Sequence, residues 1–185
     1  SGKSGSGKST VMDAIQVILY GSFSPSFLNK AADDAKNRRS VLSYLRGEQK
    51  DGSANRKDCD FCSVIALEIE DTGTHIITCI GIAFEVRKSD SEIKKFVYFS
   101  HSGKMPESEY LTEQGVCYSN QEIKKLVSAR TKSDDNRGKG EVNRIYGSKE
   151  AYLGTLYDVI LGYIDQNRFI TMEKSAIALK MTNGT

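Results

Sequence analysis

Apolar residues along this chain follow two different periods, and the change from one to the other divides the sequence. Near the start the spacing is helical. Val11, Ile15, Ile18 and Leu19 fall at i, i+4, i+7 and i+8, one apolar stripe of a helix that starts at about Ser6 or Gly7 and stops at Gly21. Residues 22–32, with Pro25 and several serines, read as a loop. A second helix is predicted from a cap at Asp33 or Asp34 through Arg46, with Val41, Leu42 and Leu45 apolar and Gly47 as its stop. Residues 48–60 are polar and are expected to form a mobile loop.

The period then becomes two. Ile65, Leu67 and Ile69 alternate with polar or small neighbours, and residues 71–74 carry turn chemistry. In the next strand Ile76, Ile80, Ile82, Phe84 and Val86 are assigned to one face, and His75, Gly81, Glu85 and Arg87 to the other. After a turn at residues 88–91, residues 96–99 supply a third strand, so an antiparallel meander is expected. His101 follows it and is read as a solvated surface residue. Helical spacing returns at Ser119, where Glu122 completes a capping box before Ile123, Leu126 and Val127. Residues 131–141 read as a charged loop. Residues 149–161 read as a helix with Tyr152, Leu156, Val159 and Ile160 inward, and residues 167–179 as a helical tail. The fold class is α/β in the α+β sense, with an antiparallel meander and flanking helices.

The chemistry is concentrated at the start. Gly2, Lys3, Ser4, Gly5, Ser6, Gly7, Lys8 and Ser9 spell G-x-x-x-x-G-K-S, a phosphate-binding P-loop, with Thr10 next in line. The glycines let successive backbone N–H groups turn toward phosphate. Lys8 would reach the β- and γ-phosphates, the Ser9 hydroxyl would ligate Mg²⁺, and the helix behind them adds the positive end of its dipole. ATP and Mg²⁺ are the expected ligands. A glycine-serine linker could match the same pattern, but a linker is not normally followed at once by a capped amphipathic helix.

Composition narrows the picture further. The 185 residues suffice for one domain with a proper core, and a net charge of +2 excludes a histone-like electrostatic grip. Basic residues do cluster in 30–39, at Arg56-Lys57 and in 124–139, as candidate DNA contacts or plain solvated faces. No apolar run approaches the ~20 residues of a membrane span, so no membrane is expected. Among Cys59, Cys62, Cys79 and Cys117, the C-x-x-C of the first two lacks a second pair at zinc-site spacing. Cys62 and Cys79 are read as small buried hydrophobes in a cytoplasmic, reduced protein. A buried strand normally precedes a P-loop, and the chain is accordingly expected to be a fragment of a larger protein.

The run Gly7-Lys8-Ser9-Thr10-Val11-Met12-Asp13-Ala14-Ile15-Gln16 resembles the head domain of SMC-like ATPases, in which G-K-S-T is followed by an apolar pair and D-A-I. A second block, Phe27-Leu28-Asn29-Lys30-Ala31-Ala32 and then Arg39-Ser40-Val41-Leu42-Ser43-Tyr44-Leu45-Arg46-Gly47, is similar to the SMC-like subunit of Wadjet plasmid-defence systems, relatives of the MukB condensins. Ser4 stands where SMC heads commonly carry Asn. The resemblance implies the N-terminal half of an ABC-type ATPase head across residues 1–185. It would act as a homodimer with a second copy of the subunit, with kleisin-type and accessory subunits, on DNA in the nucleoid. It implies that Arg38 and Arg39 approach the γ-phosphate or DNA, the other reading being an exposed helix-surface pair, and that Gln166 plays the Mg²⁺-sensing Q-loop role. In that family the acidic Walker B pair and the signature loop lie in the other half of the head, and neither pattern occurs here. No catalytic residue is therefore expected within the chain, and the isolated chain is expected to bind nucleotide without turnover. A P-loop kinase or AAA-type ATPase would instead require alternating parallel βα units, and a binding module with a relict P-loop would not need Lys8 and Ser9 intact.

Overall fold

The computed structural model describes residues 8–24, 40–49, 51–134 and 142–160. Its centre is a four-stranded antiparallel sheet in the order β1-β2-β3-β4, formed by Phe61–Glu70, Ile77–Val86, Lys95–Ser102 and Arg144–Tyr146. Helices α1 (Lys8–Tyr20), α2 (Val41–Arg46) and α4 (Lys149–Thr155) belong to one face, and α3 (Asn120–Asp134) covers the other. The expected α+β architecture is observed.

β2 carries the core because it is buried from both sides. Ile80, Ile82, Phe84 and Val86 pack with Val17, Ile18, Val41, Leu42 and Leu45 of α1 and α2, while Ala83 lies in the second cluster with Ile123 and Val127 of α3. The face assigned to His75, Gly81, Glu85 and Arg87 is thus largely roofed over rather than open to water. Ile76 is 47% exposed and lies outside the strand, and His75 has a left-handed φ of 57° in the preceding turn. Gly81 is required here: a Cβ would stand 2.5 Å from the Ile65 carbonyl oxygen and 2.8 Å from the Phe99 ring.

Several sequence expectations are corrected by local hydrogen bonding. The described part of the second helix is capped by Ser40, not by Asp33 or Asp34. Ser40 is extended (φ −79°, ψ 162°) and its Oγ accepts the Ser43 N–H at 3.1 Å, so helical backbone begins at Val41. Residues 33–39 lie outside the described residues. Gly47 ends α2 as expected, left-handed at φ 66°, with Gly47 N–H donating to Tyr44 and Glu48 N–H to Ser43, a Schellman closure. The 48–60 segment contains a Glu48–Ala54 bridge and a turn in which Asp51 accepts from Ser53, so it is a structured loop. α3 starts with the expected Ser119–Glu122 capping box and runs four residues into the anticipated 131–141 loop. The last described helix changes to a π-helical turn over Leu156–Ile160.

His101 is the largest reversal. β3 continues past residue 99, placing His101 opposite Cys79 within the sheet, fully buried beneath Tyr110. Nδ1 lies 2.9 Å from the Ser102 carbonyl oxygen, which can only accept, so Nδ1 carries the proton. Nε2 then accepts from the Tyr110 hydroxyl at 2.8 Å. This arrangement suits the neutral ring, and burial lowers the imidazole pKa below its usual value. A depressed histidine pKa contributes stability that is present above the unfolded value of about 6.5 and is lost as pH falls through the folded value. Chemical denaturation between pH 7 and 5 should therefore show stability declining toward acid in the wild type and a flatter slope in His101→Gln.

Candidate nucleotide-binding site

The P-loop motif runs directly into α1. Gly2 to Gly7 lie outside the described residues, as do Arg38, Arg39 and Gln166, so nothing brings these predicted site residues together here. Lys8 and Ser9 form the first backbone turn of α1, followed by Thr10, which is exposed. That first turn contains no acidic residue, and the leading N–H groups and dipole of a helix favour an anion.

The other end of α1 is held by three phenols from distant parts of the chain. Tyr152 donates to the Ile18 carbonyl at 2.8 Å, Tyr98 to the Gly21 carbonyl at 2.6 Å, and Tyr157 to the Leu19 carbonyl. Gly21 itself is left-handed at φ 55°, the expected stop. Burial pushes the Tyr98 hydroxyl up to about 12 and raises Tyr152 well above the ordinary phenol value, so both donate as neutral groups. The Tyr98 and Tyr152 rings stack at 4.6 Å.

The inward face of α1 keeps Ile18 and Leu19 of the expected stripe but not Val11. Val11 and Met12 are 60% and 56% exposed, whereas Asp13, Val17 and Ile18 are buried. The helix is rotated toward residues 13, 14, 17 and 18 because its carbonyl end is fixed by the tyrosines and because Asp13 Oδ2 accepts the Tyr44 hydroxyl of α2 at 2.6 Å. Sequence reasoning missed Asp13 as a functional candidate. Its signal was a carboxylate one helical turn before Val17.

Between α1, α2, the following loop and β1 lies a cavity of about 320 Å³. Thr10, Asp13, Ala14 and Val17 line it along α1, Tyr44 and Arg46 come from α2, and the exposed Asn55 and Arg56, with Ser63, complete the lining. Arg46 also donates through one terminal nitrogen to the carbonyls of Arg87, Lys88 and Asp90, tying α2 to the β2–β3 turn. Its buried Nε has no hydrogen-bond partner among the described residues. Arg56, noted in the sequence as part of a basic cluster, stands over the Phe61 ring at 5.2 Å and lines this cavity.

Residues 1–35 match the family described as the P-loop containing region of AAA domain. No curated protein and no solved structure matches the chain. The family match covers the motif and α1 and supports a nucleotide-binding P-loop region. Among the described residues, no helix is long and apolar enough to cross a membrane.

The tyrosine clamp makes a specific energetic demand. Tyr152→Phe keeps the buried ring but deprives the Ile18 carbonyl of its phenol donor, which should cost about 1–3 kcal/mol in stability. Urea unfolding followed by far-UV circular dichroism reads this directly. An unchanged midpoint would show that the α1 terminus does not depend on that bond.

Proposed function

We propose that the chain is the N-terminal half of an SMC-like, ABC-type ATPase head, which binds ATP and Mg²⁺ and works on DNA as a dimer of two such heads. The observation that carries this reading is the P-loop motif leading into a helix seated on an antiparallel sheet whose strands neighbour one another in chain order. The family match at residues 1–35 favours an AAA-type ATPase as the alternative. The described sheet has only antiparallel pairs, however, where that class calls for parallel βα units.

In the proposed site Lys8 neutralises the β- and γ-phosphates, Ser9 and Gln166 hold Mg²⁺, and the first turn of α1 adds backbone donors. The metal would supply charge neutralisation at the phosphates. Phosphoryl transfer also needs a group that positions the attacking water, and the sequence offers no Walker B pair or signature loop for it. Turnover is accordingly assigned to the completed, engaged pair of heads. Kleisin-type partners, nucleoid location and a role in plasmid defence follow from the resemblance of residues 7–16 and 27–47 and belong to the same proposal.

Two experiments test it. Lys8 makes charge-assisted contacts that no neutral side chain replaces, so Lys8→Ala should bring ATP binding below detection by calorimetry. The wild-type chain alone should release phosphate only at background rates with Mg²⁺ and DNA. Lys8-dependent turnover by the isolated chain would indicate a self-contained NTPase and overturn the half-head reading.

DNA contact is proposed to arise from basic segments of two engaged heads, because the formal charge of one copy is nearly balanced. In the full dimer, charge reversal at Arg38 and Arg39 should weaken ATP-dependent DNA binding and flatten its salt dependence while nucleotide affinity stays near wild type. Loss of nucleotide binding with an unchanged salt slope would place the two arginines at the phosphates instead.

A further inference from the structure

We infer that the groove between α3 and the loop before it is a docking surface for a basic amphipathic protein segment, which sets apolar side chains in the groove and lysine or arginine on its rim. The surface lies on the α3 side of the sheet and makes no use of the P-loop reading.

The groove is built into the fold. After β3 the chain makes a small hairpin closed by the Leu111–Cys117 bridge, in which the Thr112 N–H donates to the Val116 carbonyl at 2.8 Å. Tyr110 anchors its base, buried with its hydroxyl on His101, and the Tyr118 N–H donates to the Tyr110 carbonyl at 2.8 Å. The hydroxyls of Ser108 and Tyr118 share a further hydrogen bond at 3.1 Å. Opposite the hairpin, lining positions 122, 125, 126 and 129 of α3 fall at i, i+3, i+4 and i+7, one face of the helix. The space between hairpin and helix has a volume of about 860 Å³.

Its lining is apolar on both sides. Leu111 and Tyr118 belong to the hairpin, Leu126 and Ala129 to α3. Val116, next to the lining Gly115, is 55% exposed and extends the apolar surface onto the hairpin tip.

Charge identifies the occupant. From Met105 to Glu122 the chain carries Glu107, Glu109, Glu113 and Glu122 and no other formally charged residue and no histidine, a formal −4. The whole chain is +2, which leaves +6 on all its other residues. Glu113 lines the groove, and Glu107 and Glu109 bracket the lining Ser108. These three carboxylates are exposed and form no ion pair among the described residues. The Ser119 N–H bonded to Glu122 holds that carboxyl below its usual range, so it too is ionised. Lys125 is the one cation of the lining. An acidic rim on an otherwise basic chain repels nucleic acid and attracts a cationic segment. Apolar walls between carboxylates match a helix with bulky apolar anchors on one face and basic residues beside them. The α3 wall, seven residues at 1.5 Å each, is roughly 10 Å long and accommodates about two turns of it.

The probe is a synthetic amphipathic helix of leucine and lysine with one tryptophan on its apolar face. The full chain has no tryptophan, so the probe's emission reports its own burial. Two controls carry the same tryptophan, one with glutamate in place of lysine and one an oligolysine of equal charge. The leucine–lysine probe should bind with blue-shifted emission, at least about tenfold more tightly than either control. Glu113→Lys, which reverses a rim charge, and Ala129→Gln, which fills the groove from an exposed helical position, should each weaken it about fivefold or more. Glu113→Gln carries the charge comparison if Glu113→Lys does not fold. A probe that does not bind, that binds no tighter than a control, or that is indifferent to the folded variants overturns the docking surface. Self-association of the chain in sedimentation, lost in Ala129→Gln, would make a second copy the occupant and overturn the basic partner.

Discussion

An α-helix leaves its last carbonyls without donors of its own, and in α1 those of Ile18, Leu19 and Gly21 are met by Tyr152, Tyr157 and Tyr98. Each phenol comes from an element more than seventy residues away, so this helix end is where β3, α4 and the π-helical turn converge. Net hydrogen-bond energies are modest, about 0.5–1.5 kcal/mol each. Their geometry matters more, because three donors fix the axial position and rotation of α1. With its rotation set, Asp13 reaches Tyr44 and Thr10, Ala14 and Val17 line the cavity. The opposite end of the same helix receives the P-loop.

The sheet provides the rigid partner for that helix. β2 is covered on both faces, and Gly81 allows the Phe99 ring to approach so closely that no side chain fits between. Arg46 then links the C-terminal end of α2 to the β2–β3 turn through three carbonyls. α1, α2 and the sheet are thereby held around one small volume, with few ways to close it short of repacking the core. A cavity bounded by such elements is preformed.

Much of the fold was readable from period alone. The meander, the capping box at Ser119, and the stops at Gly21 and Gly47 depend on neighbouring residues, and local chemistry decides them. His101 departs from the solvated reading because β3 continues past Phe99 to Ser102, and strand ends are the least certain feature of an alternating pattern. β4 was missed since three residues, Arg144–Tyr146, are too few to show alternation. The stripe holds at Ile18 and Leu19 but not at Val11, because the hydrophobic pattern cannot register a buried Asp13 partnered by a tyrosine thirty-one residues away. For the site, the phosphate-binding motif is local and was legible. The cavity arises from small residues meeting across α1 and β1, a tertiary gap that no linear spacing records.

The chain has nine tyrosines and no tryptophan, and the clamp residues are among the most deeply buried of them. Its ultraviolet signal is therefore a tyrosine signal, in part an optical report on the seating of one helix. With Tyr98 held up to about 12 and Tyr152 raised well above the ordinary phenol value by burial, these phenols remain protonated where exposed ones near 10 ionise. The stability they contribute is complete below the unfolded value and fades as pH rises through the folded one. An alkaline spectroscopic titration would thus separate a fast surface phase from a late, cooperative one in which phenolate appears as α1 comes away from the sheet.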